Sequence, residues 1–140
     1  MELTRCINFL LSAAQHNVFQ YLSSRLAPYG ITPGQYGVLN CLWTHKELSP
    51  KQIGEILHLE ASSISGILDR LQKIGLIDRM TDPDNRRAVL VSPTQKAMDL
   101  HLPVDKIIKD MNNCVKESFS EEEWETLLQY LSVIANRELN

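Results

Sequence analysis

The sequence predicts a mainly α-helical chain carrying one small antiparallel β-hairpin. Three observations predict it. Apolar residues recur at helical spacing along the first thirty residues and again over most of residues 94–134. Residues 49–74 read as two short helices joined by a tight turn, and the one clear β pattern, residues 76–91, follows directly with turn formers at its centre. With 44% apolar residues in 140, the chain has enough to bury one core and is expected to form a single domain over residues 1–140.

Each element has its own local reason. Leu3, Ile7, Leu10, Ala14, Val18, Tyr21 and Leu22 repeat close to every 3.5 residues and define a first helix. A second runs from Pro33 to Thr44. Ser49-Pro50 starts a third, a side-chain cap followed by a proline whose missing N–H costs nothing there. Its apolar stripe, Ile53, Ile56 and Leu57, is interrupted at His58-Leu59. A fourth helix spans about Ala61 to Ile74 with Ile64, Ile67, Leu68 and Leu71 inward, and Gly75 supplies a left-handed stop. Leu76–Arg79 and Ala88–Val91 are the strands, and Asp82-Pro83-Asp84-Asn85 the turn. A long helix from about Thr94 to Glu117 turns Leu100, Val104, Ile107, Ile108, Met111, Cys114 and Val115 inward, and Pro103 is expected to kink it. Ser120 and Glu123 form a capping box before the stripe Trp124, Leu127, Leu128, Leu131 and Ile134. Of the acidic residues Glu117, Glu121, Glu122, Glu123 and Glu125, three fall in the first turn of that last helix, where carboxylates oppose the positive end of its dipole.

The outward face of the fourth helix carries the chemistry. Ala61, Ser62, Ser63, Ser65 and Gly66 are small, so backbone and hydroxyls can approach base edges and phosphates, and Arg70 and Lys73 follow within reach of a flanking backbone. Arg86 and Arg87 tip the hairpin, where cations suit a narrow minor groove. The plain alternative is a solvated, serine-rich helix beside a hairpin charged for solubility.

These segments resemble the MarR family of winged-helix transcription regulators. The matching residues run from Ile31-Thr32-Pro33-Gly34-Gln35-Tyr36 to Leu42-Trp43, then through Leu59–Ser65 and Asp69-Arg70-Leu71. The match ends with Lys73-Ile74-Gly75-Leu76-Ile77-Asp78-Arg79 and Asp82-Pro83-Asp84-Asn85-Arg86-Arg87. The resemblance implies a winged helix-turn-helix over about residues 32–92, flanked by dimerisation helices at residues 1–30 and 94–140. It also implies a homodimer on a pseudo-palindromic double-stranded DNA operator, acting as a repressor. The family's wing reads Asp-Pro-x-Asp-x-Arg, and its minor-groove arginine matches Arg87. This chain departs at the second aspartate, where it has Asn85, leaving Asp84 or Asp69 to orient the wing. Family members often bind a small aromatic or phenolic anion between the dimer helices and the winged module. The positions implied here are His16, Phe19, Tyr36, Asn40, Trp43 and His101. Tyr36, Asn40 and Trp43 share one helical face, as core residues would as well.

Net charge and residue types limit the alternatives. The chain carries a net charge of −3, yet residues 46–96 hold eight Lys/Arg against seven Asp/Glu, and the remainder six against ten. So modest a bias predicts that tight binding needs two half-sites and falls steeply with salt. The three helices outside the winged module have more apolar surface than that module needs, which reads as a subunit interface. No apolar run is long enough to span a bilayer and no signal-peptide pattern opens the chain, so a cytoplasmic protein is expected. Three cysteines lack metal-type spacing and four scattered histidines (16, 45, 58, 101) form no ligand pair, so neither metal nor cofactor is expected. No phosphate loop or nucleophile elbow supports an enzyme. Two other readings stand beside the operator-binding repressor. One is a redox-responsive regulator using Cys6, which lies beside Arg5 near the start of the first helix, surroundings that make a thiol reactive. The other is an interaction module that has kept the fold without DNA binding.

Overall fold

The computed structural model describes residues 1–140. Its first helix begins later than the apolar repeat predicts. Leu3–Arg5 is a 3-10 turn, Cys6 is extended (φ −88°, ψ 114°), and α1 runs Ile7–Leu26. Gly30 (φ 73°) then turns the chain into α2, Pro33–His45. Here Thr32 and Gln35 cap each other reciprocally, each side chain accepting the other's backbone N–H. The same device, Ser49 with Gln52, starts α3, Pro50–Leu57.

The turn between α3 and α4 (Ala61–Lys73) is built by two residues. His58 adopts the left-handed conformation (φ 56°), and the Leu59 N–H donates to the Gly54 carbonyl at 3.0 Å. Gly54 is buried, and a Cβ there would stand 3.0 Å from the Leu59 carbonyl oxygen, so this close approach requires glycine. Gly75 (φ 78°) ends α4, as its position in the sequence predicts.

The hairpin is longer than expected: β1 covers Ile77–Asp82 and β2 Asn85–Pro93, leaving Pro83 and Asp84 as the connection. Pairing is regular from Ile77↔Pro93 to Thr81↔Val89, then jumps to Asp82↔Asn85. Arg86, Arg87 and Ala88 therefore have no residue opposite them, a local irregularity that bends the wing tip. Leu48 adds a bridge to Val91, with N–H···O distances of 3.1 and 2.8 Å. Just before it, Lys46 (φ 67°, ψ −57°) sits at the centre of a strained γ-turn, in which the Glu47 N–H donates to the His45 carbonyl at 2.8 Å.

Helix α5, Gln95–Lys116, is capped by Thr94 and runs through Pro103 without ending. Helix α6, Glu121–Asn136, opens on the predicted Ser120–Glu123 box. The core joins α1, α2, α3, α4, the hairpin and α5 as far as Met111 through Leu26, Leu39, Leu42, Ile53, Leu68, Leu71, Val91, Val104 and Ile107. Cys114, predicted inward, is exposed, because α5 has left the core by that point. The α6 stripe also lacks a partner within the chain: α6 buries only Trp124, while Leu128, Leu131 and Ile134 are 43%, 39% and 39% exposed. Ile7, Phe9 and Leu10 at the start of α1 are exposed as well. No helix is long and apolar enough to cross a membrane.

Candidate nucleic-acid interface

Burial divides α4 cleanly into two faces. Ile64, Leu68 and Leu71 are buried, whereas Ala61, Ser62, Ser63, Ser65, Gly66, Arg70 and Lys73 are all exposed. A Cβ at Gly66 would meet nothing within 4 Å, so this part of the face is open to solvent. Arg70 and Lys73 take part in none of the chain's ion pairs, which leaves both charges free for an external partner.

The wing tip presents two more free cations. Arg86 and Arg87 are exposed and unpaired. Neither Asp84 nor Asp69 pairs with either guanidinium, although Asp69 does reach the root of the wing. Asp69 is held by Arg79 at 2.8 Å, and the Asp84 contribution is its backbone N–H, which donates to the Asp82 carboxylate at 2.9 Å. Asn85 does the local work instead: its Oδ1 accepts the Arg87 N–H at 3.2 Å. A neutral amide thus shapes the backbone without neutralising either guanidinium.

Four of the six ligand-position candidates meet between α2 and α5. The Trp43 and His101 rings stack, with centroids 4.7 Å apart and planes 17° apart. Tyr36 tilts against Trp43 at 6.5 Å, and the Asn40 amide donates to the Tyr36 hydroxyl at 3.4 Å. Trp43 Nε1 donates to the Ala97 carbonyl at 3.0 Å, tying α2 to α5. Burial raises the Tyr36 hydroxyl pKa above the ordinary tyrosine value, the Asp105 and Cys41 charges add to this, and the Asn40 bond opposes it. His16 and Phe19 lie outside this cluster, exposed on α1, and three surface clefts are lined by other residues, from α1 and the turn after it, α5, α6 and the link between them. Among the cysteines, Cys6 is half-buried at the N-cap of α1, Cys41 is buried with its thiol pushed up by burial, and Cys114 Sγ lies 3.9 Å from the Tyr21 hydroxyl.

The MarR family pattern matches residues 31–89. An organic hydroperoxide resistance transcriptional regulator from Bacillus subtilis is 34% identical over 95 residues, covering 68% of this chain and 65% of that protein's own length. The match therefore spans just under two thirds of that relative. The chain belongs to the MarR family. Solved structures extend the likeness over nearly its whole length. A probable transcriptional regulator from Pseudomonas aeruginosa superposes with a TM-score of 0.86 at 28% identity, covering 95% of this chain and 99% of the other. A mutant of MarR from E. coli, complexed with operator DNA, gives 0.85 at 21% identity, with 94% of each chain covered, and shows a shared fold. Asn85 remains the departure from the family's wing pattern.

The site also contains residues to which the sequence assigned no role. Arg79 leaves β1 to donate from Nε to Gln72 Oε1 at 2.7 Å and from Nη2 to Asp69 Oδ1 at 2.8 Å, both on α4. Lys96 Nζ donates to the Ile74 carbonyl at 2.8 Å, and the Thr94 hydroxyl to the Gly75 carbonyl at 2.7 Å. Asp69 and Gln72 stand three apart on one helix and therefore share a face, which was visible in the sequence. That Arg79 would reach that face required knowing how the wing folds back.

Proposed function

We propose that this MarR-family chain is a transcriptional regulator that binds a pseudo-palindromic operator as a homodimer. Helix α4 enters the major groove and Arg87 the minor groove of each half-site. The observation that carries this reading is the coincidence of a small-residue helix face with four unpaired cations, Arg70, Lys73, Arg86 and Arg87. Binding two half-sites needs two copies, and the exposed stripes of α1 and α6 give a second copy its interface. The regulator acts as a repressor, released when a small aromatic ligand engages the Tyr36–Trp43–His101 cluster at the junction of α2 and α5. A gel shift with DNA from upstream of its own gene tests the reading. The parent is expected to retard that DNA, and Ser65→Glu, which adds bulk and negative charge to the helix face, is expected to abolish the shift while keeping a native circular dichroism spectrum. Unchanged affinity for Ser65→Glu would remove α4 as the reader, and no retardation by the parent would leave an interaction module.

The name of the Bacillus subtilis relative favours a second reading of the signal, in which a hydroperoxide oxidises Cys6. Release of the parent from DNA by cumene hydroperoxide, abolished in Cys6→Ser, would select it over an aromatic ligand.

A further inference from the structure

We infer that Arg79 is a positioning residue for DNA recognition, clasping the wing to the recognition helix so that both meet the duplex in a fixed relation. The inference rests on the operator-binding reading above. Arg79 lies in β1 at the root of the wing, and its guanidinium forks onto two acceptors one helical turn apart on α4. A planar group bonded through Nε and Nη2 to two fixed acceptors has little rotational freedom left, which a lysine in its place would not achieve. The Arg79 side chain is 29% exposed and that of Asp69 63%, so the pair is partly shielded at its cationic end.

Arg79 is thereby unlike the other cations of this face. Arg70, Lys73, Arg86 and Arg87 have no acid partner and are free for phosphate or groove contacts, whereas the Arg79 charge is already spent on Asp69. The rest of the α4–β1 junction is held at backbone carbonyls, Ile74 by Lys96 and Gly75 by Thr94, which fixes where the strand starts. Only the clasp bonds side chain to side chain between the two reading elements themselves. The wing tip beyond it has irregular pairing, so without the clasp its direction relative to α4 depends on the strand ladder alone.

The sign of one substitution separates this role from a direct DNA contact. Removing an acid beside a phosphate backbone strengthens binding to any DNA when electrostatics alone act. If Asp69 instead holds Arg79, and Arg79 the wing, then Asp69→Ala weakens operator binding. The expected result is a roughly tenfold loss of operator affinity for Asp69→Ala, Arg79→Lys and Gln72→Ala alike, with the salt slope of binding retained. Gln72→Ala is an uncharged change at an exposed position and keeps the test valid should the charge variants fold poorly. Hydrogen exchange of the wing amides in the DNA-free protein is measured in parallel and is expected to quicken in all three variants. Operator binding as tight as the parent's in Asp69→Ala and Gln72→Ala, or a salt slope lowered in the charge-removing Arg79→Gln, would overturn the inference. If the parent binds no DNA, the operator reading falls, and unaltered wing exchange in the variants would overturn the clasp separately.

Discussion

Arg86 and Arg87 are neighbours held differently. The Arg87 N–H is bound by the Asn85 side chain, so its direction is set at the backbone, while Arg86 has no such restraint. A directed guanidinium suits a groove contact, and a free one suits a phosphate. Arg87→Ala is therefore expected to lose on the order of 1–3 kcal/mol per half-site of operator affinity. Arg86→Ala should chiefly flatten the salt dependence. A salt titration of operator binding for both variants beside the parent checks this, and an Arg87→Ala that binds like the parent throughout would show that the wing does not touch DNA. At Gly54 the expected effect is on stability. The added methyl of Gly54→Ala presses on the Leu59 carbonyl in a turn that cannot shift without moving α4. Overpacking of this kind costs about 1–3 kcal/mol, measurable as a lower denaturation midpoint.

At the scale of elements, α6 has the least support from its own chain. An apolar stripe that is two-fifths exposed at Leu128, Leu131 and Ile134 is a cost unless something covers it. Leu131→Glu is expected to leave the winged module folded, because α6 buries only Trp124, which lies beside Lys116 at the end of α5 and outside the core, and to shift the protein to monomer in sedimentation with loss of operator binding. A dimer that survives both Leu128→Glu and Leu131→Glu would move the interface elsewhere. The elements themselves were largely legible, because caps and apolar spacing are local signals: the Ser49-Pro50 start, the Ser120–Glu123 box, Gly75 and the α4 stripe all stand where the sequence places them. What was not legible depended on non-local contacts. The start of α1 at Ile7 depends on the backbone of Cys6, and the strands grew longer because pairing with a partner, not propensity, sets their ends. The long helix, by contrast, was read through Pro103 and does run through it, since a helix packed on α1 tolerates the loss of one hydrogen bond. The α4 face was readable residue by residue, whereas Arg79 and the Trp43–His101 stack depend on how separate elements come together.

For the molecule as a whole, pH acts through the junction of α2 and α5. The Tyr36 hydroxyl pKa is raised in the folded state, first by burial and then by Asp105 and Cys41. The unfolded chain therefore loses this proton first as pH climbs past the ordinary tyrosine value of about 10. Stability is unaffected by Tyr36 below that pH and falls as pH rises above it, until the folded form ionises too. Tyr36→Phe is expected to reduce that alkaline slope, read from denaturation midpoints between neutral and strongly alkaline pH, and an identical slope would place the loss at other groups.

Helix α5 links the two ends of the molecule without interruption. Its start is bonded through Thr94 and Lys96 to the end of α4, and its last turns reach the arm that carries α6. At 22 residues it is a rod of about 33 Å. Such a rod acts as a lever: tilting its far end by roughly 5° swings the recognition helix through about 3 Å. In the proposed dimer, two such levers must set their tips roughly 34 Å apart, one turn of DNA. A ligand or an oxidised thiol that reshapes the fulcrum by a fraction of an ångström would then put both helices out of phase with the grooves, without altering a single residue that touches the operator.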